Sequence, residues 1–191
     1  LEQQQYTDAL KVLHSLEKSL SDPAQLSSLF AIAYLGQGYQ LLAIREFSAA
    51  RDSFRSGRSY NEEDVRLWRG EALTLYTQGK YSEAASLLDQ ALGIDPQNSD
   101  VYLLLGKAYY ADGRLDEAVD ALQRSLESGG GENVSGFLDK VRRERQIEAD
   151  MQEEYRGHFQ LSFEDGEHAS AVASEILETL EDAYLEVGSD L

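Results

Sequence analysis

The sequence predicts an all-α fold of stacked, antiparallel helix pairs, and three observations carry that expectation. A period of 34 residues runs ungapped through the middle of the chain, small residues recur at fixed places within it, and glycine or proline stands where helices should end. Counting from Ala31, the fourth positions are Tyr34, Trp68 and Tyr102, the eighth Gly38, Ala72 and Gly106, and the eleventh Leu41, Leu75 and Tyr109. These define the first helix of each unit. A second helix is defined by Phe47, Tyr81 and Leu115, by Ala50, Ala84 and Ala118, by Phe54, Leu88 and Leu122, and by Gly57, Ala91 and Ser125. Glycine or alanine at the eighth and twentieth positions lets two helices approach closely, and the large apolar residues fill the space beside them.

The elements follow in order. Tyr6, Ala9, Leu13 and Leu16 repeat the second-helix spacing, so residues 5–20 read as the remaining half of an upstream unit. Ser21, Asp22 and Pro23 form a helix-start signal, and the next helix runs from about Pro23 to Ile44. Three full units occupy residues 31–64, 65–98 and 99–132. Gly79 and Gly113 fall just after first helices, where a left-handed cap suits glycine, and Pro96 follows the second helix of the middle unit. Gly129, Gly130 and Gly131 then break the chain before a capping helix at about 133–154, with an apolar stripe of Val134, Phe137, Leu138 and Val141. Its continuation, RRERQIEADMQEEY, reads as an exposed, charged spacer.

The stretches WRGEALTLYTQGKYSEAASLLDQALGIDP, from Trp68 to Pro96, and YLLLGKAYYADGRLDEAVDALQRSL, from Tyr102 to Leu126, resemble the tetratricopeptide repeat family closely. The resemblance implies a right-handed superhelix over residues 1–155 whose first helices line a concave groove for a peptide or helix of a partner. Four residues depart from the family pattern: Glu71 replaces the usual apolar seventh residue, Arg45 replaces the turn glycine of the first unit, and Glu62 and Gly130 replace the terminal proline.

The pattern changes near residue 156. Phe159, Leu161 and Phe163 alternate as on a half-buried strand, and Ala169, Val172, Ala173, Ile176, Leu177, Leu180, Tyr184 and Val187 recur at helical spacing from about Glu167 to Gly188. Residues 156–191 are therefore expected to form a strand–helix appendage, the start of a second domain, with an unpaired strand edge. The words HFQLSFEDGEHASAVASEILETLEDAYLEVGSDL resemble the opening of gluzincin-type, peptidase MA-like metallopeptidase domains. That resemblance implies an arm of a larger envelope-associated protein, cut before its catalytic core. It brings no catalytic motif, because two His four residues apart with an adjacent Glu are needed and no HExxH occurs. Opening at Leu1 instead of Met points to removal of something upstream.

Composition narrows the function classes. Among 191 residues the formal net charge is −18, which repels phosphate backbones and anionic headgroups, so neither nucleic acid nor membrane insertion is expected. No apolar run approaches the roughly 20 residues of a membrane helix. The absence of cysteine excludes disulfides, thiolate metal sites and Cys nucleophiles. His158 and His168 read as surface residues, Gly129–Gly131 lack the flanking strand and Lys of a phosphate loop, and Asp95 to Asp100 reads as an inter-unit turn. No enzyme, metal or cofactor is expected.

The expected function is a protein-interaction scaffold. In the resembled family, positions 2, 5, 9 and 12 tend to face the groove; here these are Ile32, Leu35, Tyr39 and Leu42, then Arg66, Arg69, Leu73 and Tyr76, then Asp100, Leu103, Lys107 and Tyr110. Aromatic and Arg side chains supply most interface hot spots, so the partner-binding set is Tyr39, Leu42, Arg66, Arg69, Leu73, Tyr76, Lys107 and Tyr110. A carboxylate clamp would place Asn at the ninth positions, where Tyr39, Leu73 and Lys107 stand, so the expected ligand is partly apolar. Alternatively, the strand at 159–163 is free to pair with its copy and form a homo-oligomer.

Overall fold

Three 34-residue units become three helix pairs in a computed structural model of the chain, which describes residues 2–19, 26–164 and 168–189. The helices are α1 (Glu2–Glu17), α2 (Ser27–Ala43), α3 (Phe47–Tyr60), α4 (Val65–Thr77), α5 (Tyr81–Ile94), α6 (Ser99–Ala111), α7 (Leu115–Glu127) and α8 (Glu132–Asp150). Strands β1 (Met151–Arg156) and β2 (Phe159–Glu164) and helix α9 (Ala169–Ser189) complete the chain. Two compact units result, Leu1–Val141 and Arg142–Leu191, and each is described by itself.

In the first unit the periodic small residues are the contact surfaces. Ala50, Ala84 and Ala118 are fully buried, as are Ala72 and Ala91. Phe54, Leu88 and Leu122, equivalent residues of α3, α5 and α7, are buried to the same degree. At Gly106 a Cβ would stand 2.6 Å from Leu122 Cγ, so α6 reaches α7 only because no side chain intervenes. Pairing α2 with α3, α4 with α5 and α6 with α7, and then pair on pair, buries one continuous run of Val65, Leu75, Leu88, Val101, Leu105 and Ala108. The stack is a right-handed superhelix of helix-turn-helix repeats.

The turns repeat as faithfully as the helices. After α4 and α6, Gly79 and Gly113 adopt φ of 76° and 77°. The next amides, Lys80 and Arg114, donate back to the carbonyls of Leu75 and Tyr109, closing the same C-terminal loop each time. Arg45 occupies the equivalent position after α2 and takes φ 65°, a conformation that costs a residue with a Cβ about 1–2 kcal/mol. Asp64 and Asn98 cap the starts of α4 and α6, accepting from the amides of Arg66 and Val101 at 3.1 Å.

Several sequence expectations change at the ends. On α1, Leu10 and Leu13 are buried against Phe30 and Ala33, whereas Ala9 and Leu16 are exposed; the helix turns a different stripe inward than its second-helix spacing implied. The start signal at 21–23 lies outside the described residues; α2 is described from Ser27 and ends at Ala43. The capping helix, expected at 133–154, ends at Asp150, and the division between units falls within it, upstream of the 155/156 boundary expected from sequence. Val134, Leu138 and Val141 of α8 seal the last pair against Val119 and Leu122.

In the second unit, Met151–Arg156 is a strand and not the end of a charged helix, because a two-residue turn folds it back on β2. Gly157 takes φ 54° at the first turn position, which a hairpin favours for glycine. The register runs from Met151 opposite Glu164 to Arg156 opposite Phe159. The expected strand is present as β2 and the expected helix as α9, from Ala169, but β2 is not a lone strand: it pairs with β1 within the chain. On α9, Ala173 and Leu177 are buried, while Val172, Ile176, Leu180, Tyr184 and Val187 of the expected stripe stay more than 40% exposed.

A candidate peptide groove on the first helices

The first helices form one wall, with α2 touching α4 and α4 touching α6. On that wall a cavity of about 220 Å³ is lined by Tyr39 of α2, Arg69 and Leu73 of α4, and Asp100, Leu103, Leu104 and Lys107 of α6. Three successive repeats thus contribute to one depression, which follows from the 34-residue period placing equivalent faces side by side.

Each side chain is held for an identifiable reason. The Tyr39 ring stands edge-on to buried Phe54, with centroids 5.2 Å apart, so its base is fixed by the core of the first pair. Arg69 bridges to Asp100, an ion pair that ties α4 to α6. Burial works against the charge of Arg69, but Tyr39 and Asp100 outweigh it and hold its pKa above the ordinary guanidinium value. Lys107 makes no ion pair among the described residues, so its ammonium is available to an incoming acceptor. Leu73, Leu103 and Leu104 supply an apolar floor. The arrangement offers one uncommitted cation, one Arg whose donors are partly engaged, and an aliphatic bed, with no nucleophile–base pair among the lining residues.

Of the eight residues expected from sequence to bind a partner, this cavity brings together Tyr39, Arg69, Leu73 and Lys107. The other four are used elsewhere. Arg66 turns back to Asp64, donating through Nε at 2.8 Å and through a terminal nitrogen at 2.7 Å, and so reinforces the cap of its own helix. Leu42 packs on the cluster around Ala31 and Phe54. Tyr76 lies against the central core and meets the Tyr81 ring at 5.4 Å. Tyr110 stands edge-on to Phe137 at 5.2 Å, under the Lys140 ammonium at 4.9 Å, and joins the contact with α8. Leu104 gave no signal in the sequence, because the equivalent residues of the other two units, Gly36 and Gly70, have no side chain.

Two tetratricopeptide repeat models match residues 35–99 and 75–140, together more than half of the chain. The anaphase-promoting complex subunit 3 of Schizosaccharomyces pombe is 25% identical over 120 residues, 63% of this chain and 18% of that protein. Among solved structures, the Sgt2 tetratricopeptide domain from Aspergillus fumigatus superposes with a TM-score of 0.61 at 20% identity, covering 74% of this chain and 93% of that one. The first tetratricopeptide domain of Spaghetti (RPAP3), bound to an HSP90 peptide, gives a TM-score of 0.59 at 20% identity, covering 62% and 95%. The chain therefore spans under a fifth of the curated relative's length, and the structural likenesses speak to the fold. Both family matches end by residue 140, so the metallopeptidase-like resemblance of residues 156–191 finds no support in them.

Proposed function

Because residues 35–140 of this chain belong to the tetratricopeptide repeat family, we propose that it is a protein-interaction scaffold that holds a peptide or helix of a partner on the wall formed by α2, α4 and α6. The observation that carries this reading is the cavity assembled from Tyr39, Arg69, Leu73, Leu103 and Lys107, contributed by three consecutive repeats. A structural neighbour of the same fold holds a peptide, which supports the reading for the class of ligand and not for its identity.

The lining selects among peptides. Leucines at 73, 103 and 104 favour an apolar side chain in the floor, and Lys107 favours a carboxylate beside it. Asp100 opposes an acidic group next to Arg69, so a peptide with a single acidic residue flanking an apolar one suits the wall better than a run of carboxylates.

Selection of peptides from a random library on the full chain, followed by fluorescence anisotropy, tests this. We expect acidic-apolar sequences to emerge, and the Tyr39→Ala, Lys107→Ala double variant to weaken their binding at least tenfold, the loss of about 1.4 kcal/mol that one charge-assisted contact supplies. Undiminished binding by a variant with an unchanged helical circular dichroism signal overturns the reading.

A further inference from the structure

A second, differently built site lies on the second helices. Helix α3 carries Arg51, Arg55 and Arg58 at spacings that put all three on one face. They converge on Glu71 of α4, which is fully buried. Arg55 Nε donates to its Oε1 at 2.8 Å, an Arg58 terminal nitrogen donates to its Oε2 at 2.5 Å, and Arg51 Nε stands 3.6 Å from Oε1. One carboxylate does not balance three guanidinium groups. Glu71 is their one ion-pair partner within 4 Å among the described residues, so two guanidinium groups are left without a contacting carboxylate in a chain whose net charge is −18, with Glu62 acting on Arg58 from farther off.

The surplus faces a cavity of about 570 Å³ lined by the three arginines, Glu71 and Leu75, and by Ser82, Glu83, Ser86, Leu87 and Gln90 of α5. Glu83, the other carboxylate there, has its own counter-charge in Lys80 at 3.7 Å. Nε of Arg51 and Nε of Arg58 are buried and have no hydrogen-bond acceptor among the described residues, and buried donors in folded proteins are nearly always satisfied. Burial lowers the pKa of Arg58 by more than Glu71 raises it; Arg55 lowers it further and Glu62 raises it, while the guanidinium lies 4.0 Å over the Trp68 ring.

We infer that this face, between α3 and α5 over Glu71, is a binding site for a phosphoryl group carried on a partner polypeptide. A dianion balances the two uncompensated guanidinium charges, whereas a single carboxylate leaves one. The planar forks of Arg51 and Arg58 suit a tetrahedral oxyanion, which accepts from several N–H groups at once. Ser86 and Gln90 add polar side chains on the opposite wall. The site shares α4 with the peptide wall but uses its other face, so a partner is free to engage one without the other.

Titration of the full chain with inorganic phosphate at constant ionic strength, with chloride as reference, tests the site through the Nε–Hε NMR signals of Arg51 and Arg58. We expect saturable movement of both, and roughly tenfold weaker response in Arg51→Gln, the usual effect of removing one charged donor. Arg51 makes no hydrogen bond to Glu71, so that variant keeps the Glu71 contacts; Arg55→Gln, at a half-exposed position, gives a second reading should it fail to fold. A response no larger than that to chloride overturns the site. A serine phosphopeptide is then compared with its unphosphorylated and glutamate counterparts, and should bind at least tenfold tighter than both. Equal binding of the glutamate peptide overturns the phosphoryl assignment, and equal binding of all three alongside a phosphate response overturns the polypeptide source.

Discussion

The ring of Phe54 on α3 lies against the bare backbone of Gly70 on α4, so closely that a Cβ at position 70 would stand 2.3 Å from its Cε1. Gly38 of α2 flanks the same ring from another side, with a would-be contact of 2.6 Å. Three helices from two repeats therefore meet around one side chain, and the joint depends on glycine at both places. We expect Gly70→Ala to destabilise the protein by about 1–3 kcal/mol, because the ring has no room to retreat. Gly93→Ala, in α5 with nothing within 4 Å, should instead stabilise by about 0.5–1 kcal/mol through helix propensity. Urea denaturation of both variants checks the opposite signs.

Arg45 offers a stabilising change. It holds φ 65° where Gly79 and Gly113 hold 76° and 77° in the next two repeats. Replacing it with glycine removes the steric cost of the left-handed backbone, about 1–2 kcal/mol, against the loss of a distant cation–π contact to Phe47 at 5.8 Å. Arg45→Gly should raise the melting temperature, and a fall would show that the contact outweighs the strain.

Glu71 stands where the repeat pattern expects an apolar residue. Removing its charge with Glu71→Gln leaves Arg51 and Arg58 crowded without compensation, and should cost roughly 3 kcal/mol. The half-exposed Arg55 adds less, since solvent screens it. In a double-mutant cycle with Arg58→Met the two losses should be far from additive.

Acid should loosen the start of α4. The side-chain hydrogen bond from Arg66, reinforced by the Arg66 amide and its charge, holds the Asp64 carboxyl below its ordinary value despite some burial. A depressed carboxylate pKa contributes stability that is fully present above the unfolded value, about 3.9, and is lost as pH falls through the lower folded value. Asp64→Ala should cost about 1 kcal/mol at neutral pH and progressively less below pH 4, and Asp64→Asn, which keeps a capping oxygen but also lacks the titrating carboxyl, should start from a smaller cost and decline over the same pH range. A pH-independent Asp64→Ala penalty contradicts the assignment.

The repeat architecture was legible in the sequence because its signals are local and periodic: Ala50, Ala84 and Ala118 must be small, and each is fully buried. The left-handed turns at 79 and 113 were legible for the same reason. Four of the eight residues expected to meet a partner line one cavity. Position within the repeat placed all eight on first helices, but did not show that Arg66 is drawn back by Asp64 or that Tyr110 is covered by α8, since both depend on neighbours outside the periodic pattern. The Glu71 cluster was read only as a departure, although arginines at 51, 55 and 58 carried a helical-face signal. Strand β1 gave no signal, because MQEEYR lacks apolar alternation and its pairing comes from backbone hydrogen bonds set by the Gly157 turn.

The proposed scaffold role requires a peptide to lie across α2, α4 and α6. Backbone-amide NMR mapping of the full chain with a library-selected peptide reads this most directly. The largest shifts are expected at Tyr39, Arg69, Leu73, Leu103 and Lys107. Shifts confined to α3, α5 and α7, or to residues 151–189, would contradict it.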